Sequence, residues 1–231
     1  MGSVGRIIPY MNKKKQLHAV LIHGMGRSPL AMSILAARLQ RAGIRPHLFG
    51  YSVTFERLEQ CVRRLESFVR RRIQKEEYII VGHSFGGVLT LATLPRLAHK
   101  PAACFLLTSP TRACRAARTI TPHPIARILG GEIGQLLASE RFMDSLPAPE
   151  VPTKIYAGTG GPRGRYSPFG DELNDGVLTV DETVLPGVPM ETVPIIHTFI
   201  VNSKFVAQDI VKVARQKRSQ HAPPSITKRN P

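Results

Sequence analysis

Short apolar runs alternate with longer amphipathic stretches through the first half of the chain. Residues 17–22 form an apolar-rich run that stops at His23-Gly24, the pattern of a buried strand. Ser28-Pro29 then reads as an N-cap with proline at the first helical position. Leu30, Ile34, Leu35 and Leu39 recur at helical spacing over 30–41, and Gly43 closes that helix. A weaker strand is read at 47–51. Residues 54–74 place Leu58, Val62, Leu65 and Val69 on one stripe with arginines elsewhere, which predicts a long amphipathic helix. The next strand is 78–81, breaking at Gly82, followed by a helical pattern from Phe85 to about Leu97 and a strand at 103–108. Strands and helices that alternate in this way predict a parallel sheet with right-handed crossovers.

Residues 109–151 break the alternation with basic residues, prolines and helical stretches such as 133–138. They read as a helical, lid-like insertion over the carboxyl edge of the sheet. A strand at 153–158, a glycine-rich loop to Gly176, a short segment near 193–196 and a helix from Lys204 to about Arg215 complete the pattern. The expected fold class is therefore α/β: a mostly parallel central sheet flanked by helices, carrying a lid-like insertion. The domain is read as 17–215, with a flexible segment at 1–16 and a basic flexible tail at 216–231.

Length and composition fit this picture. The chain has 231 residues and 42% apolar content, enough for one domain with its own core. No apolar run reaches the roughly 18 residues that span a bilayer, and no signal-peptide core follows Lys13-Lys14-Lys15, so a cytoplasmic location is expected. Cys61, Cys104 and Cys114 are an odd set without metal-ligand spacing; Cys61 and Cys104 read as small buried hydrophobes. The formal charge of +16 is concentrated in 63–75, 112–118 and 212–229. Such a field attracts anionic surfaces or substrates, although a solvated arginine-rich surface explains it equally well. Without a recognised motif or interleaved aromatic residues, nucleic acid is not the expected partner.

The chemistry centres on Gly82-His83-Ser84-Phe85-Gly86, placed between a strand and a helix. A very tight strand-to-helix turn lifts the serine hydroxyl above the sheet, and flanking glycines remove the side chains that would clash there. A serine hydroxyl needs a base, and the base needs a third group to orient it. In this arrangement the acid and then the histidine follow the serine in the chain. His99 and His123 fall too early and His221 lies in the tail, which leaves His197. For the acid, Asp175 in Asn174-Asp175-Gly176 holds a modest preference over Asp171 and Glu172, while Asp181 and Glu182 lie closer to the next strand. The oxyanion donors are expected to be the backbone N–H groups of Phe85 and of Met25, in His23-Gly24-Met25-Gly26. His23 reads as a residue that holds this loop rather than as a base.

On these motifs the chain resembles the small bacterial α/β-hydrolase lipases and esterases. In these a strand ends in His-Gly-x-Gly, the elbow reads Gly-His-Ser-x-Gly-Gly, and a late Asn-Asp-Gly-Val precedes a His-Thr-Phe or similar motif. All occur here, the last two as Asn174 to Val177 and His197-Thr198-Phe199, within a likeness spanning about 17–215. The resemblance implies Asp175 as the acid. Calcium-dependent relatives carry an acidic ligand just after the catalytic histidine; Thr198 and Phe199 stand there, so no calcium is expected, nor any other metal or cofactor.

The leading expectation is carboxylic-ester hydrolysis through an acyl-enzyme, on a small-molecule or lipid ester. Apolar residues of the insertion, Ile125, Ile128, Leu129, Leu136, Leu137 and Phe142, suit an acyl chain or the insertion's own packing. Arg112, Arg115 and Arg118 suit a phospholipid or peripheral contact with an anionic membrane. A thioesterase or amidase would share the same machinery. The non-enzymatic alternative is a hydrolase-like fold that binds anionic partners through its basic face.

Overall fold

The computed structural model describes residues 16–120, 124–165 and 167–221, without the side chains of 119–120, 124–129 and 217–221. Strands β1 (His18–Ile22), β2 (Arg45–Phe49), β3 (Tyr78–His83), β4 (Ala103–Leu107), β5 (Thr153–Gly158) and β6 (Met190–Val193) form one sheet. Its order is β2-β1-β3-β4-β5-β6, and every neighbouring pair is parallel. Such a sheet must be covered on both faces, which is why β1, β3 and β4 are buried at every position.

Side-chain alternation divides the core in two. On one face Val20, Ile22, Ile80 and Leu106 pack with Val62, Leu65 and Val69 of α2 (Leu58–Arg72) and Val88 of α3 (Phe85–Thr93). On the other, Leu21, Val81 and Phe105 pack with Leu35 and Leu39 of α1 (Ser33–Arg41) and Val206 and Ile210 of α7 (Lys204–His221). Cys61 and Cys104 belong to the first of these clusters as free thiols.

The insertion holds α4 (Arg115–Ile120), α5 (Pro124–Ala138) and α6 (Glu140–Asp144). Gly131, at φ 54 and ψ −152, kinks α5. Met143 and Phe142 pack against the core of the α2 side. Glu182 ties the insertion down: its carboxylate accepts the backbone N–H of Arg115 at 2.7 Å and that of Thr179 at 2.8 Å. The side chains of Ile125, Ile128 and Leu129, and all of His123, lie outside the described residues.

Several elements depart from the sequence reading. Proline at 29 starts a 3-10 turn over Pro29–Met32 rather than the α-helix itself, and Ser28 makes no side-chain capping bond. Three residues per turn instead of 3.6 shift the phase of the stripe. Met32 is therefore buried, while Leu30 is 76% and Ile34 48% exposed. Helix α2 begins at Leu58 rather than at 54, where the Gln60 side chain accepts the Arg57 backbone N–H at 2.7 Å. Helix α3 stops at Thr93 and passes into a 3-10 turn over Leu94–Arg96, because Pro95 cannot continue the ladder. Helix α7 continues to His221, past the expected boundary at Arg215, through a run of strong helix formers. Among the described residues no helix is long and apolar enough to cross a membrane.

Candidate active site

The chain leaves β1 outward to β2 and then crosses back to β3, so the carboxyl ends of β1 and β3 flank the point where strand order reverses. Ligands of open α/β sheets bind there. Ile22 pairs with Gly82 in register, so the loop after β1 and the turn after β3 leave the sheet side by side.

Ser84 occupies that turn at φ 53 and ψ −124. Non-glycine residues reach such angles only when the surroundings impose them, at about 1–3 kcal/mol. Here the surroundings are tight. A Cβ on Gly82 would lie 2.5 Å from the Gly86 carbonyl oxygen, and one on Gly86 would lie 2.5 Å from that of Ile22. The Ser84 N–H donates to the Leu107 carbonyl at 2.9 Å, extending the β3–β4 ladder through the turn. Phe85 is the first residue of α3, and the first N–H groups of a helix have no acceptor within it. That donor and the positive end of the helix dipole lie next to Ser84.

The loop after β1 supplies the facing wall. Arg27 N–H closes a turn onto the Gly24 carbonyl at 3.3 Å, and Gly26 takes φ +66 inside it. Met25, between them, is partly exposed and lines the same pocket as Ser84. His23 is buried and donates Nδ1–H to the Gly24 carbonyl at 2.8 Å. Its ring stacks on Tyr51 at 4.4 Å between centroids, and the Tyr51 hydroxyl donates to the His23 carbonyl at 2.8 Å. Burial holds the His23 pKa below its ordinary value, with the Gly24 bond acting the other way. Its Nε2 has no partner among the described residues. In this setting His23 shapes the loop.

Asp175 and His197 are in contact: His197 Nδ1–H donates to Asp175 Oδ2 at 2.7 Å. The other carboxylate oxygen accepts the backbone N–H groups of Val177 and Leu178 at 2.9 and 2.7 Å. The two residues are also joined through the backbone, His197 N–H to the Asp175 carbonyl at 2.9 Å. Both are buried. A carboxylate held this way fixes the ring with Nε2 free for a proton. Among the described residues, Ser84 Oγ and His197 Nε2 form no hydrogen bond.

The competing carboxylates stand elsewhere. Asp171 and Glu172 are exposed, Glu172 bonding Arg115 at 2.6 Å. Asp181 pairs with Arg112 at 3.0 Å, and Glu182 anchors the insertion as described. Arg118 pairs with Glu140 at 2.9 Å. Each of the three arginines singled out for a phospholipid thus already faces a carboxylate.

Two residues central to the site were not singled out from the sequence. Buried Asn174 accepts the Gly176 N–H at 2.8 Å through Oδ1, and its amide donates to the carbonyls of Pro162 and Glu172. It builds the turn that presents Asp175. The second is His83, whose Nε2–H donates to the His197 carbonyl at 3.0 Å. A Cβ on Gly24 would lie 3.0 Å from His83 Nδ1, so this ring fills the space between the β1 loop and the His197 loop. Burial, then the nearby His197, holds its pKa down to about 3.

A pocket of about 130 Å³ opens on Ser84, walled by Met25, by the Val177-Leu178 loop and by the insertion. Of the described apolar residues expected to line an acyl site, Leu137 lines the pocket while also belonging to the core, whereas Leu136 and Phe142 are not among its lining residues. No group of three or more His, Cys, Asp or Glu suited to a metal ion occurs among the described residues.

The family model described as "Alpha/beta hydrolase family" matches residues 19–221. The chain belongs to that family. No curated protein matches the sequence. Among solved structures, this α/β hydrolase is similar to mature Bacillus licheniformis lipase BlEst2, with a TM-score of 0.73 and 18% identity over 87% of this chain and 93% of that one. It is similar to the metagenomic carboxyl esterase MGS0156, with a TM-score of 0.63 and 17% identity over 95% and 80% of the two chains. Tomato Methylketone Synthase I, crystallised with 2-tridecanone, shares the fold at a TM-score of 0.60 and 11% identity over 87% and 99%. Likeness at this identity shows the fold, and the family match supports hydrolase chemistry.

Proposed function

We propose that this α/β hydrolase cleaves carboxylic esters through an acyl-enzyme, with Ser84 as nucleophile, His197 as base and Asp175 as the orienting acid. The observation that carries the reading is the buried Asp175–His197 bond of 2.7 Å, tied through His83 to the strained turn that holds Ser84 at φ 53. Ser84 Oγ adds to the ester carbonyl carbon while its proton passes to His197 Nε2. The oxyanion rests against the Phe85 and Met25 N–H groups. Collapse breaks the bond to the leaving alkoxide, which takes the proton from His197. Water, deprotonated by the same ring, then attacks the acyl-serine, releases the carboxylic acid and restores Ser84.

Fluorogenic esters and acyl-thioesters assayed in parallel, on wild type and His197→Ala, test this. Ester turnover that collapses in His197→Ala supports it. A strong thioester preference moves the reading to a thioesterase on the same triad.

An ester at a lipid–water interface fits the mouth of the pocket. Met25, Leu30, Phe55 and Phe199 are exposed on loops after β1, β2 and β6, at the edge where Ser84 stands. Apolar side chains exposed along that edge suit a contact surface, and a net charge of +16 favours an anionic one.

A further inference from the structure

The pocket beside Ser84 is lined almost wholly by small or aliphatic residues. Pro110, Cys114, Ala116, Ala117 and Leu137 come from the insertion, and Val177 and Leu178 from the loop that carries Asp175. Apart from the Ser84 hydroxyl, Gln135 is the polar side chain on its wall, and no charged side chain is among the described lining residues. Arg112, Arg115 and Arg118 are not part of it.

Three glycines of α5 give the pocket its room, for different reasons. Gly131 is required by the backbone: at φ +54 its Cβ would meet the Val53 carbonyl oxygen at 2.5 Å. Gly130 and Gly134 are not. A Cβ at either position meets nothing within 4 Å among the described residues, and both line the pocket. A side chain at either position would add bulk at the pocket wall, and contacts with the described residues do not call for glycine there.

We infer that this pocket is the acyl subsite for an uncharged aliphatic acid, and that Gly130 and Gly134 set how large its chain can be. The inference rests on the ester-hydrolase reading. A charged acid would be stripped of water there with no charged partner among the described lining residues. An apolar cavity of about 150 Å³ accommodates benzene, so a pocket slightly smaller holds roughly six carbons. Short to medium acyl groups of about that size therefore fit, and bulkier or ionised ones do not.

The test compares wild type, Gly134→Leu and Gly130→Val on two nitrophenyl or alkyl ester series. One varies the acyl chain from acetate to laurate; the other keeps acetate and lengthens the alcohol. Thermal unfolding shows that each variant is folded, and Gly134→Ala serves as a milder step should the larger change fail. The wild-type acyl profile is expected to peak near butanoate to hexanoate. In the variants the ratio of hexanoate to acetate kcat/KM is expected to fall about tenfold or more, the scale of methylene discrimination in apolar pockets. The alcohol series is expected to keep its wild-type profile. An unchanged acyl ratio in folded variants, or a shift in the alcohol series instead, overturns the inference. Failure of the wild type to cleave any ester is a different result, and it removes the ester-hydrolase reading itself.

Discussion

The His83 ring donates its Nε2 proton to the carbonyl oxygen of His197 at 3.0 Å, joining the residue before the proposed nucleophile to the backbone of the proposed base. The contact spans 114 positions of chain, and the two rings sit 5.1 Å apart. With Gly24 packed against the other side of His83, one buried ring sets the spacing of the elbow, the His197 loop and the β1 loop.

His83→Ala is expected to lower kcat about 10- to 100-fold with KM less affected, the scale at which small misplacements of reacting groups act. His83→Gln, which keeps a donor on a comparable arm, is expected to recover part of that loss. Steady-state kinetics with circular dichroism check this; equal loss in both variants would point to packing alone.

Asp175→Asn keeps the shape of the acid but removes its charge, and its amide can face the His197 ring with a donor. A fall of about 1,000- to 10,000-fold in kcat is expected, as for this exchange in other serine triads. Asp171→Asn, on an exposed residue, is expected to leave activity near wild type. A large loss in Asp171→Asn with a small one in Asp175→Asn would reassign the acid.

Buried His83 and half-buried His47 make stability depend on acid. His83 is held from 6.5 down to about 3, and His47 to about 4, with burial the main cause in both. Above pH 6.5 these rings are neutral in folded and unfolded chains and contribute no pH dependence. As pH falls below 6.5 the unfolded chain takes protons the folded one refuses, so stability is lost progressively, until the folded pKa values are passed. Urea unfolding midpoints are expected to drop between pH 7 and pH 5. His83→Gln is expected to shallow that slope, and an unchanged slope would contradict a neutral, buried His83.

Gly82→Ala is expected to be far more damaging than its size suggests. Its Cβ would stand 2.5 Å from the Gly86 carbonyl oxygen and 2.6 Å from the Gly87 nitrogen, backbone atoms with no flexible side chain to yield. A cost above about 3 kcal/mol in chemical denaturation is expected, in the range seen for enforced backbone strain. Gly130→Ala, where the new Cβ meets nothing, is the contrasting control.

The parts of the site that are local in the chain could be read from it. The elbow is legible because the sterics of one turn demand glycine at Gly82 and Gly86, and because strand and helix patterns flank it. The strand–helix alternation that sets the sheet is legible for the same reason. Contacts made by distant segments were not. His83 looked like one letter of a motif, since its partner lies over a hundred residues away. Tyr51 gave no sign of its bond to His23, nor Asn174 of its three bonds around the Asp175 turn. Apolar periodicity also misplaced Leu30 and Ile34, because the 3-10 turn at Pro29 resets the phase before α1 begins. The arginines of 112–118 looked like a free basic patch until their carboxylate partners, far along the chain, came into view.

The central claim is that Ser84 is the nucleophile, and covalent labelling tests it most directly. Wild type, Ser84→Ala and His197→Ala are treated with a fluorophosphonate probe, and the modified peptide is located by mass spectrometry. The expected result is a single adduct on Ser84 in wild type, slow labelling in His197→Ala and none in Ser84→Ala. Labelling that persists in a folded Ser84→Ala protein, or a wild type that resists the probe while cleaving esters, would contradict it.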